Sequence, residues 1–309
     1  MTCAGHYKNS RPQILEKEMF LMSFEVVTDS SANLTDEMIK KYGIHVISLT
    51  IRVDGRDFPS YQNGKATDRK MFYDMMRDGK ELLTSQINPA DCANLFSQIL
   101  SRGNDVLYIC FSSTLSGTYQ VAAMTAEDMA PDYPERKILV LNSLSAAFGE
   151  GILAVHAAKM RDEGASAEET YERINSKRFN ACHWFTVDNL IYLKRGGRIP
   201  AATQIVGTML NIKPIFHMDN DGRLTPVGKV RGRRNALNEL IERLRGQITE
   251  PESQTLYIAH ADCPDDAEYL REKLAEFNPV EIISAYLDPV IGSHTGPGTI
   301  SVYFFGRER

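Results

Sequence analysis

A chain of 309 residues, 43% hydrophobic and 24% charged, has the make-up of an ordinary globular protein and the length for two compact domains. Its 35 lysines and arginines against 40 aspartates and glutamates leave a formal charge of −5, which argues against general affinity for DNA, RNA or an anionic membrane surface. Five scattered cysteines (Cys3, Cys92, Cys110, Cys182 and Cys263) and seven unclustered histidines disfavour a disulfide framework and a zinc site, and match cytoplasmic usage.

Residues 1–23 hold no apolar stretch of signal-peptide length, because Glu16, Lys17 and Glu18 interrupt it. They read as a poorly ordered leader, with Met19 or Met22 as alternative starts. Nothing later approaches the roughly 20 apolar residues that cross a bilayer, so no integral membrane segment is expected. Phe24–Thr28 is a strand ending at Asp29-Ser30-Ser31. Thr35 caps a helix that carries Asp36 and Glu37 at its positive end and stops at Gly43. Ile44–Ile51 is a second strand before the Asp54-Gly55 turn. Residues 56–80 are polar, with a helix expected over Asp68–Arg77.

Asn88-Pro89 opens a helix with Leu95, Phe96, Ile99 and Leu100 on one face. Val106–Phe111 is a continuous apolar run, as in a strand buried on both faces of a parallel sheet. It leads into Ser112–Thr118 and a further helix; Ile138–Leu141 repeats the pattern up to Asn142-Ser143. This alternation predicts an α/β domain over residues 24–163, its sheet mainly parallel and flanked by helices. Helices over Gly149–Arg161 and Ala167–Asn175 lead to residues 164–309, where a C-terminal α+β domain with a mixed sheet is expected. Its elements are the basic segment Ile191–Arg198, a helix marked by Ile205, Val206, Met209 and Leu210, and a helix lined by Ala236, Leu237, Leu240, Ile241 and Leu244 and closed by Gly246. A strand at Leu256–Ala259, a helix over Asp265–Phe277 and strands at Glu281–Leu287 and Thr299–Phe305 complete it.

Ligands of open α/β sheets bind beyond the carboxyl ends of the strands. Four polar clusters follow expected strands there: Asp29-Ser30-Ser31, Thr84-Ser85, Ser112–Thr118 and Asn142-Ser143. Their hydroxyls and free N–H groups suit an anion's oxygens, although the same residue types are also ordinary helix caps. His294-Thr295-Gly296-Pro297-Gly298 reads as a glycine-rich loop that brings backbone and imidazole close to a ligand. Lys194, Arg195 and Arg198 surround a flexible turn; Arg231, Arg233 and Arg234 stand at the expected start of a helix, where positive charge is unfavourable. The stretch from Gly222 to Lys229 has one residue too many for a phosphate-binding loop. A hydrolase built from Ser112 or Ser116, His294 and Asp29 can be written down, but its spacing matches no known arrangement.

Five segments in order, Val27–Leu34, Thr84-Ser85-Gln86, Ser112–Thr118, Leu193–Ile199 and His294–Gly298, resemble the DegV family of bacterial fatty-acid-binding proteins from about Phe24 to Phe305. Residues 59–69 fit none of its motifs. The resemblance implies a two-domain α/β protein, not itself an enzyme and needing no cofactor, that encloses one long-chain fatty acid in a tunnel with the carboxylate at the domain cleft. On it, Thr84 and Ser112 bind the carboxylate, Ser85 and Ser113 lie beside them, and His294 and Arg195 stand near the head group. Some members are the carrier subunit of a fatty-acid kinase and present the acid to a separate ATP-binding subunit. Arg198, Arg231 and Arg234 are then candidate contacts for phosphate or that partner. A serine-dependent acyl hydrolase and a lipid-responsive regulator are the alternatives.

Overall fold

The computed structural model describes residues 24–199 and 211–309; the expected leader and the helix at Ile205–Leu210 lie outside them. The chain opens with β1 (Phe24–Asp29), α1 (Asp36–Tyr42) and β2 (Ile44–Ile47). Thr35 accepts from the Met38 amide at 3.3 Å and Gly43 closes α1 in a left-handed turn, as its residue types predict. The strand expected over Ile44–Ile51 is two strands, because β3 (Thr50–Val53) leaves the first sheet. It pairs instead with β4 (Arg56–Pro59). A short hairpin, β5 (Tyr61–Gln62) and β6 (Lys65–Ala66), precedes α2 (Arg69–Arg77). With β7 (Leu82–Ser85), β3 and β4 make a three-stranded antiparallel sheet.

This sheet and α2 form an arm that is bonded to a far later part of the chain. The Tyr73 hydroxyl donates to the Leu287 carbonyl at 2.8 Å, Arg69 to the Tyr286 carbonyl at 2.7 Å, and Ser60 to the Asp288 carboxylate.

The expected parallel sheet follows. After α3 (Pro89–Leu100), β8 (Asp105–Cys110) is buried at every residue; then come α4 (Thr118–Met129) and β9 (Ile138–Asn142). The order is β2-β1-β8-β9, all parallel. Next, ahead of α6 (Ala167–Lys177), is α5 (Phe148–Asp162), with 11 of its 15 residues buried. Gly149, Gly151, Ala154, Ala157 and Ala158 keep it slim, so that it serves as a layer shared by two sheets.

The second sheet is built from β10 (Ala181–Thr186), β11 (Ile212–Met218), β12 (Leu224–Arg231), β13 (Thr255–His260), β14 (Glu281–Tyr286) and β15 (Ile300–Phe305). Its order is β12-β11-β10-β15-β13-β14; only β13 and β14 run parallel, so the sheet is mixed as expected. Strand alternation splits its faces. Trp184, Val302 and Phe304 pack beneath α8 (Arg233–Gln247) and α9 (Pro264–Leu274), whereas His183, Phe185, Ser301 and Tyr303 point the other way.

Three local readings need correction. Gly246 lies within α8, which runs on to Gln247. Arg231 ends β12 and does not begin a helix. His294 sits in the last turn of a helix, α10 (Pro289–Thr295), rather than in a loop: Asp288 caps it through the Val290 amide at 2.9 Å, and Pro289 takes its first turn.

Candidate functional site

A cavity lies between the inward face of the mixed sheet, the loops after β8 and β9, β7 and α10. It leaves about 240 Å³ open to the centre of a water-sized sphere, some twentyfold the roughly 10–15 Å³ that one buried water needs. Its walls are largely apolar: Phe111 and Leu115 from the first half, Phe185, Met218 and Leu224 from the second, and Val290 from α10. Sequence reasoning did not pick these residues, since tunnel lining and ordinary core have the same composition.

Polar groups gather at one part of this wall. Thr84 on β7 and His294 on α10 are 2.8 Å apart, Oγ1 to Nε2, although 210 positions separate them in sequence. Burial, then the neighbouring Arg198 charge, holds the His294 pKa down at about 4, so the ring is neutral at pH 7. Arg198 follows α7 (Ile191–Arg195) and lines the cavity half-buried. It donates to the Leu115 carbonyl at 3.2 Å and to the Gly196 carbonyl, and burial alone pulls its pKa down. Among the described residues no carboxylate reaches it within ion-pair distance. Gly196 is required there, because a β-carbon would run into the His294 ring. Ser85, Gln86 and Ser116 complete the polar wall.

The remaining sequence candidates are placed differently. Ser112 is fully buried and donates to the Gly222 carbonyl at 2.8 Å, with Thr114 bonded to the same carbonyl. It is absent from the cavity lining, because the β11–β12 hairpin closes over it. Ser113 is held by Asn142, whose Nδ2 donates to its hydroxyl at 2.7 Å. Arg195 lies outside the lining, 3.9 Å from Glu81 and beside the Tyr192 ring. Arg231 is exposed, and the Arg234 guanidinium stacks 3.6 Å above Tyr269 on the far side of the sheet.

Asp29-Ser30-Ser31 does not face the cavity either. Asp29 accepts from the amides of Ser31 at 3.0 Å and Phe111 at 3.2 Å, from the Tyr108 hydroxyl at 3.2 Å, and from the Ser31 hydroxyl. Ser112, His294 and Asp29 are therefore engaged with three different neighbourhoods and assemble no triad. Among the described residues no helix is long and apolar enough to cross a membrane.

Residues 23–307 match the family of uncharacterised proteins known as DegV. A DegV domain-containing protein of Clostridium perfringens is 37% identical over 287 residues, covering 93% of this chain and 98% of that one. The fold superimposes on a fatty-acid-binding DegV family protein from Thermus thermophilus with a TM-score of 0.83, at 30% identity over 92% of this chain and 100% of that chain. DegV of Bacillus subtilis, a fatty acid binding protein, gives a TM-score of 0.80 at 28% identity, covering 93% and 100%.

Proposed function

Because this chain belongs to the DegV family, we propose that it binds one long-chain fatty acid, with the tail in the apolar cavity and the carboxylate beside Thr84, His294 and Arg198. The observation that carries this reading is a half-buried guanidinium without a carboxylate partner among the described residues, set at the edge of an apolar cavity. A cation in such a place attracts an anion whose other end is greasy. When neutral His294 donates to the Thr84 oxygen, the Thr84 hydroxyl is oriented and its hydrogen is free for the carboxylate, with no charge added.

Apolar burial dominates the affinity. About fourteen methylenes at ~0.8 kcal/mol each give roughly 11 kcal/mol before ordering costs are subtracted. The polar cluster accordingly sets orientation and chemical class.

The bound acid is presented to a separate ATP-binding kinase subunit. There a carboxylate oxygen attacks the γ-phosphorus, ADP leaves, and the acyl phosphate is carried away on this chain. The exposed Arg195, Arg231 and Arg234 serve as contacts for that partner. Mass spectrometry of an organic extract of the purified protein is expected to find a long-chain fatty acid at about one per chain. A protein that carries none and takes up no added palmitate would overturn the reading. With ATP and the kinase subunit, hydroxylamine is expected to trap an acyl hydroxamate. Bound acid without any hydroxamate would leave the binding role and favour lipid-responsive regulation.

A further inference from the structure

A second polar group faces the same cavity and takes no part in holding the carboxylate. His183 on β10 stands opposite Tyr303 on β15, and Phe185 opposite Ser301, so all four share the inward face. His183, Ser301 and Tyr303 all line the cavity. The imidazole is 5% exposed, and its Nε2 has no hydrogen-bond partner among the described residues. Burial, then the charge of Arg309, keeps it neutral. A neutral imidazole carries one donor and one acceptor, and a buried one left unpaired calls for an explanation.

The ring is also held in place. A β-carbon on Gly149 of α5 would lie 3.1 Å from its Nδ1, so the helix packs directly against it, and the centre of the Tyr303 ring lies 5.6 Å from that of the imidazole. The Ser301 hydroxyl is 3.2 Å from the Ala259 carbonyl and 2.8 Å from the Tyr303 hydroxyl. One serine hydrogen cannot serve both, so it goes to the carbonyl while the phenol donates to the serine oxygen, and the phenol oxygen keeps an acceptor position for a further partner.

Distance separates this group from the first. Thr299, whose hydroxyl bonds the carbonyls of Thr295 and Gly296 just after His294, precedes Tyr303 by four residues. At about 3.3 Å per strand residue that is roughly 13 Å. An extended chain advances about 1.2 Å per bond, so a tail that runs along this strand from Thr299 comes level with Ser301 after about five bonds and with Tyr303 after about eleven.

We propose that His183, with Tyr303 and Ser301, forms a subsite for an oxygen carried in the middle of the acyl chain, a hydroxyl or keto group. The ligand class favoured by this protein is thus oxygenated long-chain fatty acids. The inference rests on the fatty-acid reading given above. A hydroxyl there can pair with the imidazole and donate to the phenol oxygen, whereas a plain methylene leaves the imidazole unpartnered.

Calorimetric titration of the delipidated full chain with stearic acid, 12-hydroxystearic acid and 2-hydroxystearic acid tests this. The mid-chain hydroxy acid is expected to bind at least tenfold more tightly than the other two. His183→Phe should collapse that preference to within about twofold. Tyr303→Phe, which removes only one oxygen from the wall, should reduce the preference severalfold even if the histidine variant does not fold. Equal affinity of the wild-type chain for all three acids, as would follow if water satisfied the histidine, overturns the subsite alone. Failure to bind any of them overturns the fatty-acid reading together with it.

Discussion

The buried acidic cluster beside β1 and the polar wall of the cavity use similar residue types for opposite ends. Around Asp29 and Glu150 every strong acceptor faces a protein group. The four contacts to Asp29 are matched by Glu150, whose two oxygens lie 2.9 Å from the Thr28 hydroxyl and 3.1 Å from that of Ser31. Thr28 is also 2.9 Å from the Ile109 carbonyl, and Ser31 bonds Asp29 as well, so those two hydroxyl hydrogens are already committed. Four contacts share two hydroxyl hydrogens, and a protonated Glu150 supplies one of the two that are missing. Burial and the adjacent Asp29 charge push its pKa well up, as that count requires. At the cavity, by contrast, Thr84 and His294 bond each other, and among the described residues Arg198 bonds only backbone carbonyls. A polar cluster that closes on itself ties elements together; one that stays open retains capacity for a ligand.

The largest effect that can break this contrast is on stability. Asp29→Ala strands the Tyr108 hydroxyl and two backbone amides, at about 1–3 kcal/mol each when unsatisfied, and should cost about 3–5 kcal/mol in urea unfolding. Glu150→Gln keeps a donor in the same place and should cost no more than about 1 kcal/mol. A large loss in the glutamine variant would mean that Glu150 is ionised and that the hydrogen count is wrong.

Next in size is the response to acid. His294 has its folded pKa lowered from 6.5 to about 4, so its contribution is complete above about pH 6.5 and is lost as pH falls towards 4. The full shift corresponds to roughly 3 kcal/mol. In a comparison of unfolding free energies at pH 7 and pH 4, His294→Phe should lose about 2–3 kcal/mol less than the parent chain. The raised carboxyls of Asp29, Glu150 and Asp288 act in the opposite direction, but in both proteins alike. Parallel pH profiles would show that the histidine is not held neutral.

The smallest effect separates two hydroxyls. Thr84→Val should weaken palmitate binding about tenfold, near 1.4 kcal/mol, and leave the melting temperature almost unchanged. Ser112→Ala should do the reverse, costing about 1 kcal/mol of stability with palmitate affinity intact, because its hydroxyl serves the Gly222 carbonyl. Equal behaviour of the two variants would erase the distinction drawn between them.

Much of this architecture is legible in the chain. The unbroken apolar runs of β8 and β9 announce strands of a parallel sheet, and the caps at Thr35 and Asn88 mark helix starts as the structure has them. Thr84, Ser85 and His294 could be named because they belong to motifs. The arm was not legible. β4, β5 and β6 are short, half-exposed strands of mixed polarity, without the alternation that betrays a strand. Helix α10 was missed although Asp288-Pro289 is a proper start signal; Gly292, Ser293 and Thr295 favour a loop locally, and the helix is secured by packing, with Gly292 against the Tyr73 ring. Ser112 lies outside the cavity lining, and nothing near it in sequence reports that a hairpin 110 positions later will cover it. His183 carries no local signal beyond its place on an alternating strand.

The arm imposes an order on how the protein comes into being. Ser60, Arg69 and Tyr73 find their partners 228, 217 and 214 positions further along. At about 5–20 residues per second of translation, those partners emerge from the ribosome roughly 10–45 seconds later. Throughout that interval the Tyr73 hydroxyl, on a residue that ends with no exposed surface, lacks its acceptor at Leu287. The wall of the cavity that α10 supplies is therefore among the last parts of the molecule to be put in place.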